Sequence, residues 1–291
     1  MGRIVFLGTK GGPALRPGGP WPTSSLVEMA GLRIVVDCGL GVTRGLTDAG
    51  VHLRDLDAVL ITHLHSDHVL ELVPLLHTAW TAGLKQNVEV FGPPGTACVV
   101  AAGFAALQVD IDTRIADEGR PDIRSLVAVH ELDVPGSGAH AFPLPGIEAS
   151  ALRVPHPPLA DCFAYRLAAQ EGNVVLSGDT AFHPPLAEFA RGADILVHEA
   201  LFLPGVDRLV DRTGNAARLK AHLLASHTSA EDAGRIAAMA GARHLVLNHL
   251  VPADDPQVTA RDWHAAAAST FPGAITVARD MLELRLGESR P

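Results

Sequence analysis

Ala58-Val59-Leu60-Ile61-Thr62-His63-Leu64-His65-Ser66-Asp67-His68 is the stretch that decides how this chain is read. It opens as an apolar run of the kind that forms a buried strand. It closes with three histidines and one carboxylate between His63 and His68. Alternate side chains of an extended chain share a face, so His63 and His65 can meet at one point. Asp67 and His68 follow where strand gives way to helix, and can face a second point close by. Neutral imidazole nitrogens bind divalent cations, and a carboxylate offsets part of the charge of holding them. A polar loop that happens to be rich in histidine is the plainer alternative. Four ligand-type residues at this density favour a metal site.

The chain around this cluster has 291 residues, enough for one large domain over residues 1–291 with an ample core. Hydrophobic residues make up 47% and charged residues 19%, a balance that fits a compact enzyme and not a disordered chain. The net charge is −9 and no long basic block occurs, which argues against a broad nucleic-acid surface. Bound divalent cations would offset that charge locally. Cys38, Cys98 and Cys162 are far apart with no Cys-x-x-Cys spacing, so neither a disulfide framework nor a thiolate zinc site is expected. They read as buried small residues. No secretory leader pattern follows Met1 and no apolar run reaches transmembrane length. A cytoplasmic protein with no membrane partner is expected; a homodimer is left open.

Along the chain, residues 4–7 read as a strand that stops at Gly8. The Gly- and Pro-rich run to Pro20 lacks a Gly-Lys-Ser/Thr ending and reads as a loop at the rim of a site, not a phosphate cradle. Residues 25–29 and 32–37 form a strand pair across Ala30-Gly31. Asp37, at a strand end, reads as a turn-stabilising side chain, with support of a metal ligand as the alternative. Residues 42–49 read as a helix. Leu72, Val73, Leu75, Leu76, Ala79 and Trp80 recur at helical spacing, with His77 and Trp80 at the core or rim. A strand at 88–92 leads to an alanine-rich helix at 96–107. Residues 110–124 look charged and irregular, as an insertion or lid.

A strand at 147–154 ends in Pro155-His156-Pro157, and the flanking prolines stiffen the turn that carries His156. Residues 173–177 form an apolar strand ending in Gly178-Asp179, which suits Asp179 to bridging two cations; an N-cap is the alternative. Residues 194–200 are a strand tipped by His198-Glu199, and 204–224 read as loop with short helix. Thr228 and Glu231 match a capping box for a helix to Gly241, which puts His227 just before it. A strand at 244–249 ends in His249. A helix at 259–269 and a strand at 275–278 close the chain. Strands with short turns, then strands separated by helices, occur twice. This is an α/β pattern of two sheets packed face to face with helices outside.

His63-x-His65-x-Asp67-His68, followed in order by His156, the run Ser177-Gly178-Asp179-Thr180 and His249, resembles the metallo-β-lactamase superfamily over nearly the whole chain. His198-Glu199-Ala200, His227-Thr228-Ser229, Gly8-Thr9 and Gly92-Pro93-Pro94-Gly95 look like the branch that contains tRNase Z and the zinc-dependent arylsulfatases. The resemblance implies a four-layer αββα sandwich and two zinc ions per chain. His63, His65 and His156 would hold one, Asp67, His68 and His249 the other, and Asp179 both. Manganese or iron would also suit such mixed nitrogen and oxygen donors. It further implies hydrolysis by a water ionised between the cations, with Asp67 accepting a proton and His227 donating one to the leaving group. Glu199 would orient His227, against the plainer reading of a structural carboxylate. His198 reads as structural or as support for a ligand.

In bacterial tRNase Z a long arm that grips tRNA is inserted between the positions matching His156 and Asp179. Only 23 positions separate them here. With the acidic balance, this favours a small phosphodiester or sulfate ester as substrate and makes a nucleic-acid partner unlikely. The alternatives are a carbonyl substrate (lactone, thioester or β-lactam), an arm-less tRNase Z-like ribonuclease, and a metal-binding protein without catalysis. His183 and His222 lie near site-forming turns and are further candidates. His52, His130, His140, His244 and His264 read as surface or core.

Overall fold

Residue alternation along β1 (Arg3–Gly8) shows how the layers arise. Ile4 and Phe6 enter one buried cluster, Val5 and Leu7 another, because successive side chains of a strand point to opposite faces. The computed structural model describes residues 2–84, 86–136, 138–214 and 216–287. β1 begins a sheet continued by β2 (Ser24–Met29), β3 (Leu32–Val36), β4 (Ala58–Leu60), β5 (Val88–Gly92) and β6 (Val127–Glu131). A second sheet holds β7 (Ala139–Leu144), β8 (Ile147–Arg153), β9 (Phe163–Ala169), β10 (Gly172–Leu176), β11 (Ile195–Leu201), β12 (His244–Val251) and β13 (Ala274–Val277). The last strand, β14 (Leu282–Arg285), returns to pair with β1.

Phe6, Val27 and Met29 of the first sheet meet Phe142, Tyr165, Val174 and Val246 of the second in a shared core. The outer face of the first sheet is covered by α1 (Val42–Asp48), α3 (Leu72–Thr81) and α4 (Thr96–Ala106), through Leu46, Leu75, Trp80 and Phe104. The outer face of the second is covered by α6 (Pro185–Phe189), α9 (Ala230–Ala240) and α10 (Ala260–Ala268), through Leu186, Ile236 and Trp263. The result is helices, sheet, sheet, helices: the αββα sandwich. Strands β3 to β6 run parallel, as do β10 to β13. The inner ones, β4, β5, β11 and β12, are buried along nearly their whole length, with both faces covered.

Four local expectations change. Residues 110–124 are not irregular: α5 (Gln108–Glu118) occupies most of the span. It buries only Ile111, so its apolar periodicity is faint, and Arg114 ties it to Asp110 and Glu118 one turn either side. The 204–224 segment is mainly α7 (Val206–Thr213) and α8 (Leu219–Ser226). The cap of α9 is Ser229, which accepts from the Asp232 amide at 3.0 Å. Thr228 is drawn away, its hydroxyl donating to Thr180 O at 2.7 Å. Cys38 and Cys162 are buried, but Cys98 faces out from α4. No single helix among the described residues is long and apolar enough to cross a membrane.

Candidate metal centre

The residues that follow β3, β4, β8 and β10, with those on β11 and β12, converge at one rim of the sandwich. After β4, His63 and His65 point inward together, and α2 (Ser66–Val69) then presents Asp67 and His68. His249 reaches the site through a bulge. Asn248 pairs with Glu199 and Leu250 with Ala200, so His249 is the extra residue on β12, with φ of 43°. Asp37 also has a left-handed backbone, φ 63°. Such conformations cost side-chain-bearing residues about 1–3 kcal/mol and persist where the surroundings enforce them. Gly178, φ 59°, precedes Asp179; a Cβ there would lie 2.5 Å from Phe163 O, so only glycine lets the turn press against the strand. Gly11 packs against His249 in the same way, and Gly12 N donates to Asp67 Oδ2 at 2.7 Å. The glycine-rich loop is indeed at the rim.

The donors fall into two sets. His63 Nε2 and His156 Nε2 lie 3.0 and 3.1 Å from His65 Nδ1. Asp67 Oδ2 lies 3.5 Å from His68 Nε2 and 3.3 Å from His249 Nε2. Asp179 Oδ2 sits between the sets, 3.8 Å from His63 and His156, 3.4 Å from His68 and 3.1 Å from His249. Within each set the donor atoms all lie inside 4.8 Å of one another.

The far nitrogens are held in place. Thr62 Oγ1 donates to Asp37 Oδ2 at 2.9 Å and so accepts from His63 Nδ1 at 3.0 Å. His68 Nδ1 donates to Asp37 Oδ2 at 2.7 Å, and His156 Nδ1 to Ser226 O at 2.8 Å. Each bond leaves Nε2 turned into the cage. Asp37 is therefore the partner of a candidate ligand, the alternative reading of that residue, and not only a turn stabiliser.

Charge follows geometry. Burial and the facing His68 hold His63 well below the usual imidazole range, and burial and His156 push His65 down to about 4. Burial also lowers His156. These rings are neutral near pH 7, the form that donates to a cation. Burial opposes ionisation of Asp179, but His249 and His68 outweigh it and hold the carboxyl well below its ordinary range. Asp67 is lowered in the same sense against its burial, by His68 and His249. His68 Nε2, the nitrogen turned into the cage, and Asp179 Oδ1 are buried with no hydrogen-bond partner among the described residues. Orphaned buried donors and acceptors are costly. Clustered nitrogen and carboxylate donors of this kind fit a pair of divalent cations.

A beta-lactamase superfamily domain model matches residues 32–250. Ribonuclease Z of Mycobacterium sp. (strain KMS) is 36% identical over 286 residues, 97% of this chain and 95% of that protein. The chain belongs to the metallo-β-lactamase superfamily, in its tRNase Z-like branch. The fold agrees with two solved members. The metallo-β-lactamase fold protein YhfI of Bacillus subtilis gives a TM-score of 0.69 at 20% identity, covering 97% of this chain and 98% of YhfI. The short form of human tRNase Z gives 0.69 at 19%, covering 98% and 99%. As a metallo-β-lactamase-fold hydrolase, the chain is expected to carry divalent metal, and the cage is the place with donors for it.

Beside the cage, His227 Nδ1 lies 3.1 Å from both oxygens of Glu199, and its ring stacks on His249 with centres 5.7 Å apart. Burial disfavours its charged form, but Glu199 outweighs burial and raises His227 to about 9. Glu199 also accepts from the amides of Thr180 and Thr228 at 2.9 and 3.3 Å. His198 is buried and bonds its own strand, Nδ1 to Glu199 O at 2.7 Å, apart from both donor sets. His183 joins no donor set among the described residues. His222 does lie close by, its ring centre 6.1 Å from that of His156; burial lowers its basicity, as do His227 and His156. Thr62 and Ser226 are supports that no residue pattern announced. Thr62 adjoins the cluster, but Ser226 acts on His156 through its carbonyl, which every residue has.

Proposed function

We propose that this chain is a metal-dependent phosphodiesterase acting on RNA, in the manner of a ribonuclease Z. The carrying observation is the His227–Glu199 pair beside the cage. An RNA ester oxygen leaves as a poor alkoxide and needs a proton, whereas activated aryl or acyl leaving groups need one less. His63, His65 and His156 would hold one cation, Asp67, His68 and His249 a second, with Asp179 shared; zinc suits these donors and manganese or iron is compatible. Such a pair, when bound, lowers the pKa of water and offsets charge on the attacked phosphoryl group.

The protein's own groups do the rest. Glu199 keeps His227 in its protonated form and fixes the ring through Nδ1, so that the other nitrogen gives its proton to the leaving oxygen. Asp67, anchored through Oδ2 by Gly12 N, is the ionised carboxylate positioned to take up the proton released by the attacking water. The absence of an arm between His156 and Asp179 no longer weighs against RNA: the aligned 286 residues span 95% of the mycobacterial ribonuclease Z, which leaves no room there for a long insertion either. The acidic net charge remains the observation that favours a second reading, hydrolysis of small phosphodiesters or sulfate esters.

The test is a substrate panel with metal-loaded protein: a tRNA precursor, bis-p-nitrophenyl phosphate, p-nitrophenyl sulfate, a lactone and nitrocefin. Endonucleolytic cutting of the precursor is expected. Turnover of the sulfate, lactone or nitrocefin with the RNA left intact would refute the proposal.

A further inference from the structure

His222 stands beside the cage but belongs to neither donor set. It lies on α8, half-buried, its ring centre 6.4 Å from that of His65, 6.1 Å from His156 and 6.0 Å from His227. One serine sets its tautomer. The Ser226 hydroxyl has a single proton and donates it to Pro157 O at 2.6 Å. Toward His222 Nδ1, 3.3 Å away, that oxygen can only accept. Nδ1 therefore carries the hydrogen, and Nε2 of the neutral ring carries a lone pair. The carbonyl of the same serine holds His156 Nδ1 at 2.8 Å. Ser226 thus mounts a cage histidine and His222 on one support. Nε2 of His222 has no hydrogen-bond partner among the described residues.

A scissile phosphodiester offers acceptor oxygens, and a lone pair cannot bond to those. RNA adds one donor beside them: the 2′-hydroxyl of the nucleotide on the 5′ side, on the carbon next to the 3′ ester oxygen. That hydroxyl is also what lets a protein tell RNA from DNA at a given position. An imidazole presenting an acceptor about 6 Å from the rings of the cage is placed for it. On the ribonuclease reading above, we infer that His222 is a specificity-determining residue that accepts a hydrogen bond from this 2′-hydroxyl. His227 then serves the ester oxygen that leaves, and His222 the hydroxyl next to it.

The experiment compares two oligonucleotides with one cleavable position, all-RNA and the same strand with a single 2′-deoxy sugar on the 5′ side of the scissile phosphate. For metal-loaded wild type, kcat/KM is expected to favour the ribo strand by about tenfold, the scale of leaving a partly buried acceptor unpaired. In His222→Ala the ribo strand loses that factor and the ratio falls to about one, while metal content by elemental analysis stays at the wild-type value. His222→Gln, which restores a side-chain acceptor, is expected to recover part of the ratio. A ratio that His222→Ala leaves at its wild-type value overturns the role. So does loss of metal from that variant, which would make His222 a ligand. If wild type turns over bis-p-nitrophenyl phosphate but neither oligonucleotide, the ribonuclease reading fails and this role with it. Failure of the role alone is recognised by RNA cleavage with an unchanged ratio.

Discussion

Two buried carboxylate–histidine pairs flank the cage, Asp37–His68 and Glu199–His227, and they are built alike up to one point. In each, the carboxylate takes Nδ1: at 2.7 Å from Asp37 Oδ2, and at 3.1 Å from both oxygens of Glu199. In each, burial opposes the imidazolium and anions overrule it. His68 is pushed well above its ordinary value by Asp179, Asp37 and Asp67, and His227 to about 9 mainly by Glu199. The pairs differ in what faces the second nitrogen. Nε2 of His68 meets Asp179 Oδ2 at 3.4 Å and Asp67 Oδ2 at 3.5 Å, a setting where a cation can replace the proton. The second nitrogen of His227 has no hydrogen-bond partner among the described residues; its ring stacks on His249 and meets His156 edge-on with centres 5.0 Å apart, outside the two donor sets. One residue combination thus suits a ligand in the first case and an acid in the second. The neighbours decide the role, not the pair.

Metal removal should have the largest effect. Dialysis against a strong chelator is expected to abolish turnover, with recovery on adding Zn2+ or Mn2+. Activity that survives with no metal detected would break the ligand side of the comparison. Next is His227→Ala, expected to lower kcat on RNA by roughly 10²–10⁴-fold, the usual worth of a general acid, with metal content retained. Its effect on bis-p-nitrophenyl phosphate should be much smaller, because p-nitrophenolate leaves without a proton. Equal losses on both substrates would show that His227 does not act on the leaving oxygen.

Asp37→Asn and Glu199→Gln sharpen the contrast. The first is expected to weaken metal affinity by about 10–100-fold, as removing the partner of a ligating histidine does. The second should leave affinity near wild type and lower kcat. Competitive chelator titrations of both variants would decide, and matching affinity losses would erase the distinction drawn here.

The smallest effect is on stability, measured in the metal-free protein. His227 has a folded pKa of about 9, above its ordinary 6.5. Its pairing with Glu199 therefore stabilises fully below pH 6.5 and fades as pH rises through about 9. Urea midpoints of wild type and Glu199→Gln should differ by roughly 2–3 kcal/mol of stability near pH 6 and converge above pH 9. A difference independent of pH would contradict the ion pair.

The cage was legible in the sequence because its donors stand at the tips of strongly apolar strands, where residue type alone betrays them. Their partners were harder to see. Asp37 looks like any strand-end aspartate until the fold brings it 31 positions along to His68. Thr228-x-x-Glu231 and Ser229-x-x-Asp232 overlap as capping boxes, and only tertiary demand chooses, since Thr180 O claims the Thr228 hydroxyl. α5 escaped because a helix that buries one side chain barely writes an apolar period. The four-layer architecture was legible from strand and helix order together with the resemblance. The short interval between His156 and Asp179 does not set this chain apart from the mycobacterial ribonuclease Z, which aligns over 95% of its length with no long insertion there.

His63, His65, Asp67 and His68 follow a strand of the first sheet, while His156, Asp179 and His249 come from the second. A cation gripped by both is a rivet through the seam, and prising the halves apart at that rim must first tear it out. Whatever binds only the closed sandwich adds its binding free energy to the closure itself. Metal supply would then govern not only how fast this protein works but how firmly its two halves stay shut.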